Sequence, residues 1–200
     1  MLTRLKHRVQ SLLATQARWL HSVGMTPNKI SLMGIFSAFL SGYFYWMWWY
    51  NHYLLIVAPI FLLLSGFCDA LDGVVARLHG EISIFGGFLD SLLDRYADAL
   101  VIVALIGSGL CNVFWGSVAL VGSLLVSYAR ARAEATGAKM ETIGLAERSE
   151  RIIILTIASF VSFYWLDALN WSIILLAVLT NLTVLQRSIY FYKTCEQKEG

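Results

Sequence analysis

Four aspartates stand at helical spacing in an otherwise apolar stretch of the sequence. Asp69, Asp72, Gly73 and Ala76 fall at i, i+3, i+4 and i+7, which puts them on one helical face. Gly86, Asp90 and Asp94 follow at four-residue spacing on a second face. Two antiparallel helices joined by the short loop 78–84 are expected to be neighbours, so the four carboxylates converge on one pocket, where they repel and cannot all stay ionised unless cations neutralise them. An all-oxygen donor set, with no histidine or thiolate suitably placed, favours hard divalent ions: Mg²⁺ first, with Mn²⁺ or Ca²⁺ also compatible. Two such ions about 4 Å apart form a clamp suited to phosphoryl chemistry, because both the attacking and the leaving oxygen are stabilised. Gly73 and Ala76 would let a flat or bulky ligand lie against the helix backbone, with Arg77 in reach of phosphate oxygens. Close helix packing is the alternative use of Gly73, Ala76 and Gly86.

The elements that must position these groups are membrane helices. The chain has 200 residues, of which 58% are hydrophobic and 14% charged, and its mean hydropathy is +0.67. That composition excludes an ordinary soluble domain, and no nucleic-acid partner is expected. Six stretches of about the 20 residues a span requires lie near 29–50, 53–77, 85–109, 112–132, 151–167 and 170–192. The fold class expected is therefore an all-α membrane protein with six transmembrane helices, filling 25–200. Residues 1–24 are expected to form an interfacial amphipathic helix: Leu2, Leu5, Val9, Leu12, Leu13 and Leu20 share an arc opposite Arg4, His7 and Arg18. Thr26-Pro27-Asn28 ends that helix and starts the next. No cleavable signal peptide is recognised.

Lysine and arginine cluster at one set of span ends, while the turns near Asn51, Cys111 and Asp167 carry none. The positive-inside bias then makes both termini and the aspartate end cytoplasmic in the cell membrane. The aromatic group Tyr43, Trp46, Trp48, Trp49, Tyr50 and Tyr53 marks the opposite interface. Cys68, Cys111 and Cys195 form no CxxC pair and read as small buried hydrophobes. Asp98, one turn beyond Asp94, reads as a polar bond within the bundle, and His79 as a solvated loop residue.

From Asp69 to Asp94 the residues spell D-x2-D-G-x2-A-R-x8-G-x3-D-x3-D, which resembles the signature of the CDP-alcohol phosphotransferase family at all eight of its positions. An interfacial N-terminal helix followed by six membrane helices is also the architecture of that family. The resemblance implies that Asp69, Asp72 and Asp90 are metal ligands, with Asp69 and Asp90 bridging two Mg²⁺ ions. It makes Asp94 a ligand of the second ion and the general base. It assigns Asn28, Gly73, Ala76, Arg77 and Ser83 to the CDP moiety, and it implies a homodimer.

A phosphorylated acceptor needs cations beside that site, and Arg130, Arg132, Arg148, Arg151 and Arg187 are the candidates. An arginine within a span, as Arg187 is, needs a partner or an aqueous cavity. Ion pairing of Arg130 with Glu134, and of Glu147 with Arg151, is the alternative use. The segments Ser127–Glu134, Glu147–Arg151 and Gln186-Arg187 are similar to the branch of the family that uses inositol 1-phosphate. The expected reaction moves a diacylglycerol- or archaeol-bearing phosphoryl group from a CDP-linked lipid to a phosphorylated polyol, releasing CMP. Glycerol 3-phosphate is the alternative acceptor, and a divalent-ion transporter is the alternative from another functional class.

Overall fold

The computed structural model describes residues 13–138, 140 and 143–199, and all regular structure among them is helical. Residues 13–22 belong to α1. There follow α2 (Pro27–Trp46), α3 (Leu54–His79), α4 (Ile84–Gly107), α5 (Val113–Glu134), α6 (Arg148–Ser162) and α7 (Asp167–Glu199). Local chemistry sets the ends. Pro27 occupies the first turn of α2, where its missing N–H costs nothing. Gly80, at φ 67°, terminates α3 in the left-handed conformation. Ser83 and Asn112 cap α4 and α5 by accepting hydrogen bonds from first-turn amides. The last helix runs past its apolar segment because no glycine or proline stands between Arg187 and Glu199.

By length and composition α3, α5 and α7 can each cross a membrane. Among the others, α4 carries Asp90, Asp94, Arg95 and Asp98, and α6 has only 15 residues. The helices alternate in direction. The turns without basic residues meet at one end: Trp48 Nε1 donates to the Ser108 carbonyl (3.1 Å), His52 Nε2 to that of Phe163 (2.8 Å), and the Asn112 amide to Asn170 Oδ1 (2.8 Å). The aspartates and arginines lie toward the opposite end.

Sequence reasoning makes α3 and α4 direct neighbours because only the short loop 78–84 joins them. Instead they diverge from that turn, and α2 packs against both. Small residues on α2 permit this: a Cβ on Gly34 would meet Cys68 Cβ of α3 at 3.2 Å, and one on Gly42 would meet Ala104 Cβ of α4 at 3.5 Å. The main core gathers Tyr45, Leu55, Leu105, Leu169, Ile173 and Leu176, all fully buried. Tyr45 pairs with Ser159 at 2.5 Å, which satisfies a phenol otherwise sealed in hydrocarbon. The outer surface is apolar, with Phe36, Phe39, Leu125, Ile157 and Leu182 exposed.

The described part of α1 turns its apolar side onto the bundle. Ala17 is buried, and Leu13 and Leu20 pack with Ile30, Leu71 and Val75 of α2 and α3. Leu2, Arg4, Leu5, His7, Val9 and Leu12 lie outside the described residues. His79 is the last residue of α3 rather than a loop residue, and its ring stacks on His21. Cys68 and Cys111 are buried and Cys195 is half-buried. Burial pushes the Cys111 thiol up to about 11, so it stays protonated and unreactive.

Candidate active site

The turn at residues 80–83 brings the last turns of α3 beside the first turns of α4. There Asp69, Asp90 and Asp94 each place a carboxylate oxygen within 4.8 Å of the others. Asp72 borders the same pocket but is buried, and its carboxylate accepts a hydrogen bond from Ser31 Oγ of α2 at 2.5 Å. Arg148, the first residue of α6, reaches between the two aspartate helices. Its Nη1 lies 2.9 Å from Asp69 Oδ1 and also contacts Asp94 Oδ1. One guanidinium is too little charge to balance three adjacent carboxylates, so this all-oxygen donor set fits a divalent cation.

Gly86 has a local structural reason. A Cβ there would stand 2.8 Å from Ser83 Oγ and 3.4 Å from Asn28 Oδ1, so glycine makes room for the Ser83 cap and for Asn28. Ser83 and Asn28 thus meet at the start of α4. A Cβ on Gly73 would meet only the Arg77 guanidinium, at 3.2 Å, which is the movable tip of a side chain. The Arg77 guanidinium is therefore what lies nearest the helix face at Gly73. Arg77 itself is exposed, and Ala76 is half-buried beside it.

A cavity of about 1210 Å³ opens from Asp69, Asp90 and Asp94 toward α5, α6 and α7. Its polar wall includes Arg130, Arg148, Arg151 and Arg187, and its apolar wall includes Ile60, Leu63, Leu64 and Phe67 of α3. Arg132 is exposed and does not line it, because two positions along α5 from Arg130 point to a different side. Arg130 pairs with Glu134 at 2.9 Å, as its spacing suggests. The alternative Glu147–Arg151 pair is absent from the described contacts. Arg151 instead reaches Asp98 Oδ2 at 2.5 Å and the Ala146 carbonyl at 2.9 Å, and Glu147 lies 3.5 Å from Arg187. Both buried arginines take partners across helices, since neighbouring elements offer nearer oxygens than their own turn does. Arg187 also donates to the carbonyls of Ile143 (2.7 Å) and Val126 (2.6 Å). The Nε–H groups of Arg148 and Arg151 are buried and have no hydrogen-bond partner.

Asp98 is the polar bond within the bundle that its spacing implied: besides Arg151 it approaches Arg148 Nε at 3.5 Å. Sequence reasoning did not find Ser31 or Thr183, and it paired Glu147 with Arg151 instead of Arg187. Ser31 sits four residues after Pro27 on a helix whose register toward α3 only packing defines, and Thr183 lies in an apolar run with no motif around it.

A family profile described as CDP-alcohol phosphatidyltransferase matches residues 24–185. The chain belongs to that family. It is 38% identical over 187 residues to an archaetidylinositol phosphate synthase of Pyrococcus horikoshii, covering 94% of each chain. Among solved structures it is similar to a phosphatidylinositol phosphate synthase of Mycobacterium tuberculosis with CDP-DAG bound, with a TM-score of 0.78 and 30% identity over 91% of this chain and 94% of that one. A second structure of the same enzyme, in complex with manganese and citrate, gives a TM-score of 0.77 and 30% identity over 90% of this chain and 88% of that one. The family is one of transferases, which sets aside the ion-transporter alternative.

Proposed function

We propose that the protein transfers a lipid-bearing phosphoryl group, with diacylglycerol or archaeol tails, from a CDP-linked lipid to the hydroxyl of inositol 1-phosphate and releases CMP. The observation that carries this reading is the set of arginines, Arg130, Arg148, Arg151 and Arg187, that lines the cavity beside three clustered aspartates. An acceptor bearing its own phosphate gives that cationic wall an anion to meet, and guanidinium geometry matches a phosphate well. A neutral alcohol brings no anionic group for that wall.

Asp69, Asp72 and Asp90 hold the metal, together with Asp94, and Mg²⁺ is the expected ion, with Mn²⁺ able to replace it. Two bound ions supply positive charge to the phosphoryl oxygens and to the departing CMP. Asp94, which Arg148 contacts directly, takes the proton of the acceptor hydroxyl. That oxygen forms the new bond to the β-phosphorus as the bond between this phosphorus and the CMP oxygen breaks. Asn28, Gly73, Ala76, Arg77 and Ser83 bind the CDP moiety. Arg130, Arg148 and Arg151 bind the acceptor phosphate, with Arg187 adding charge to the same wall, while the position of Arg132 outside the cavity argues for a surface role.

The same reading gives six spans after an interfacial helix at 1–24, with 25–200 as the catalytic bundle. Both termini and the site face the cytoplasm at the cell membrane. The alternating helix directions and the apolar outer surface support this arrangement, and a homodimer rests on the family resemblance. The test is CMP release by purified protein with Mg²⁺, a CDP-linked lipid and either inositol 1-phosphate or glycerol 3-phosphate. Release with inositol 1-phosphate is expected, and Asp94→Asn should abolish it while retaining CDP-lipid binding. Release with glycerol 3-phosphate alone would replace the acceptor assignment, and no release with either would refute the reaction.

A further inference from the structure

The segment that delivers Arg148 and Arg151 to the cavity is held from behind by α7. Thr183 and Arg187, four residues apart on one face of α7, both grip residues 143–147 just before α6 begins. Thr183 Oγ1 accepts from the amides of Leu145 (3.1 Å) and Ala146 (3.2 Å) and donates to the Leu179 carbonyl (2.8 Å). One donor and two acceptors are all a hydroxyl offers, so Thr183 is fully used and is itself completely buried. Arg187 holds the Ile143 carbonyl and pairs with Glu147. Between them lies Gly144 at φ 144°, where a Cβ would come within 2.6 Å of Thr183 Cγ2. Neither the left-handed backbone nor the close approach admits another residue cheaply. Arg151 closes the loop from the other side by donating to the Ala146 carbonyl.

We infer that Thr183, with Gly144 packed against it, is a positioning residue that fixes the residue 143–147 segment and thereby sets the places of Arg148 and Arg151 for acceptor recognition. Thr183 does not line the cavity, so it acts through those arginines and touches no substrate. This inference rests on the proposed reading of the arginines as phosphate ligands.

The experiment measures KM for inositol 1-phosphate and for the CDP-linked lipid separately, with thermal unfolding in detergent, for the intact full-length protein, Thr183→Val and Thr183→Ser. Valine keeps the shape but leaves two amides without an acceptor. The expected result is a rise of about tenfold in acceptor KM with the CDP-lipid KM unchanged, and recovery in Thr183→Ser, which restores the hydroxyl. Gly144→Ala should move the same constant in the same direction. Equal rises in both KM values, a fall in unfolding temperature with no change in acceptor KM, or failure of serine to rescue would each overturn the inference. Should the unsubstituted protein release no CMP with inositol 1-phosphate, the reading of the site falls instead, and the two failures are distinguishable.

Discussion

Replacing Asp98 with asparagine tests how the bundle tolerates its inner charges. The carboxylate takes Arg151 Nη2 at 2.5 Å and lies 3.5 Å from Arg148 Nε, and the side chains of Asp98 and Arg151 are only 15% and 6% exposed. Asparagine keeps the volume and one acceptor oxygen but leaves the Arg151 charge without its counter-ion. Breaking a buried pair from one side costs roughly 3–5 kcal/mol. The Ala146 carbonyl still accepts from Arg151, and Asp98 retains a little exposure, so the lower end, about 3 kcal/mol, is expected. For a chain of this size that corresponds to a fall of roughly 6–12 °C in unfolding temperature. The assay is thermal unfolding in detergent micelles for Asp98→Asn, Arg151→Gln and the double substitution. Because removing both partners also removes the stranded charge, the double variant should be more stable than the sum of the single losses predicts, by about 2 kcal/mol. A single Asp98→Asn variant as stable as the parent, or strict additivity of the two losses, would refute the view that this pair is coupled within the bundle.

Two further expectations address the edges of the site. Gly86→Ala would push a methyl group to 2.8 Å from Ser83 Oγ, breaking the cap of α4; a loss of about 1 kcal/mol should appear in thermal unfolding together with weaker CDP-lipid binding, since Asn28 must also shift. Arg132→Ala should leave the acceptor KM within about twofold of the parent while Arg151→Ala raises it more than tenfold, and a matching rise for Arg132 in steady-state CMP release would contradict its place outside the cavity.

The sequence by itself determined the aspartate chemistry. Intervals of three and four residues put Asp69 and Asp72 on one face of α3 and Asp90 and Asp94 on one face of α4, because helix geometry alone aligns them within each helix. Helix positions were equally legible, since an apolar run of fixed length and a Pro, Gly or Ser at its ends are local signals. The pairing of Arg130 with Glu134 followed from the same one-helix periodicity. What crosses between distant helices was decided only by tertiary structure. Whether α2 or α4 packs on α3 depends on which small residues allow close approach, and Gly34 and Gly42 turned out to seat α2 against both. The exchange of partners among Glu147, Arg151, Arg187 and Asp98 depends on distances set by α4, α6 and α7 together, and the use of Thr183 to hold the segment before α6 depends on the packing of α7. Local periodicity places a side chain on a face; only packing determines which oxygen or guanidinium that face meets.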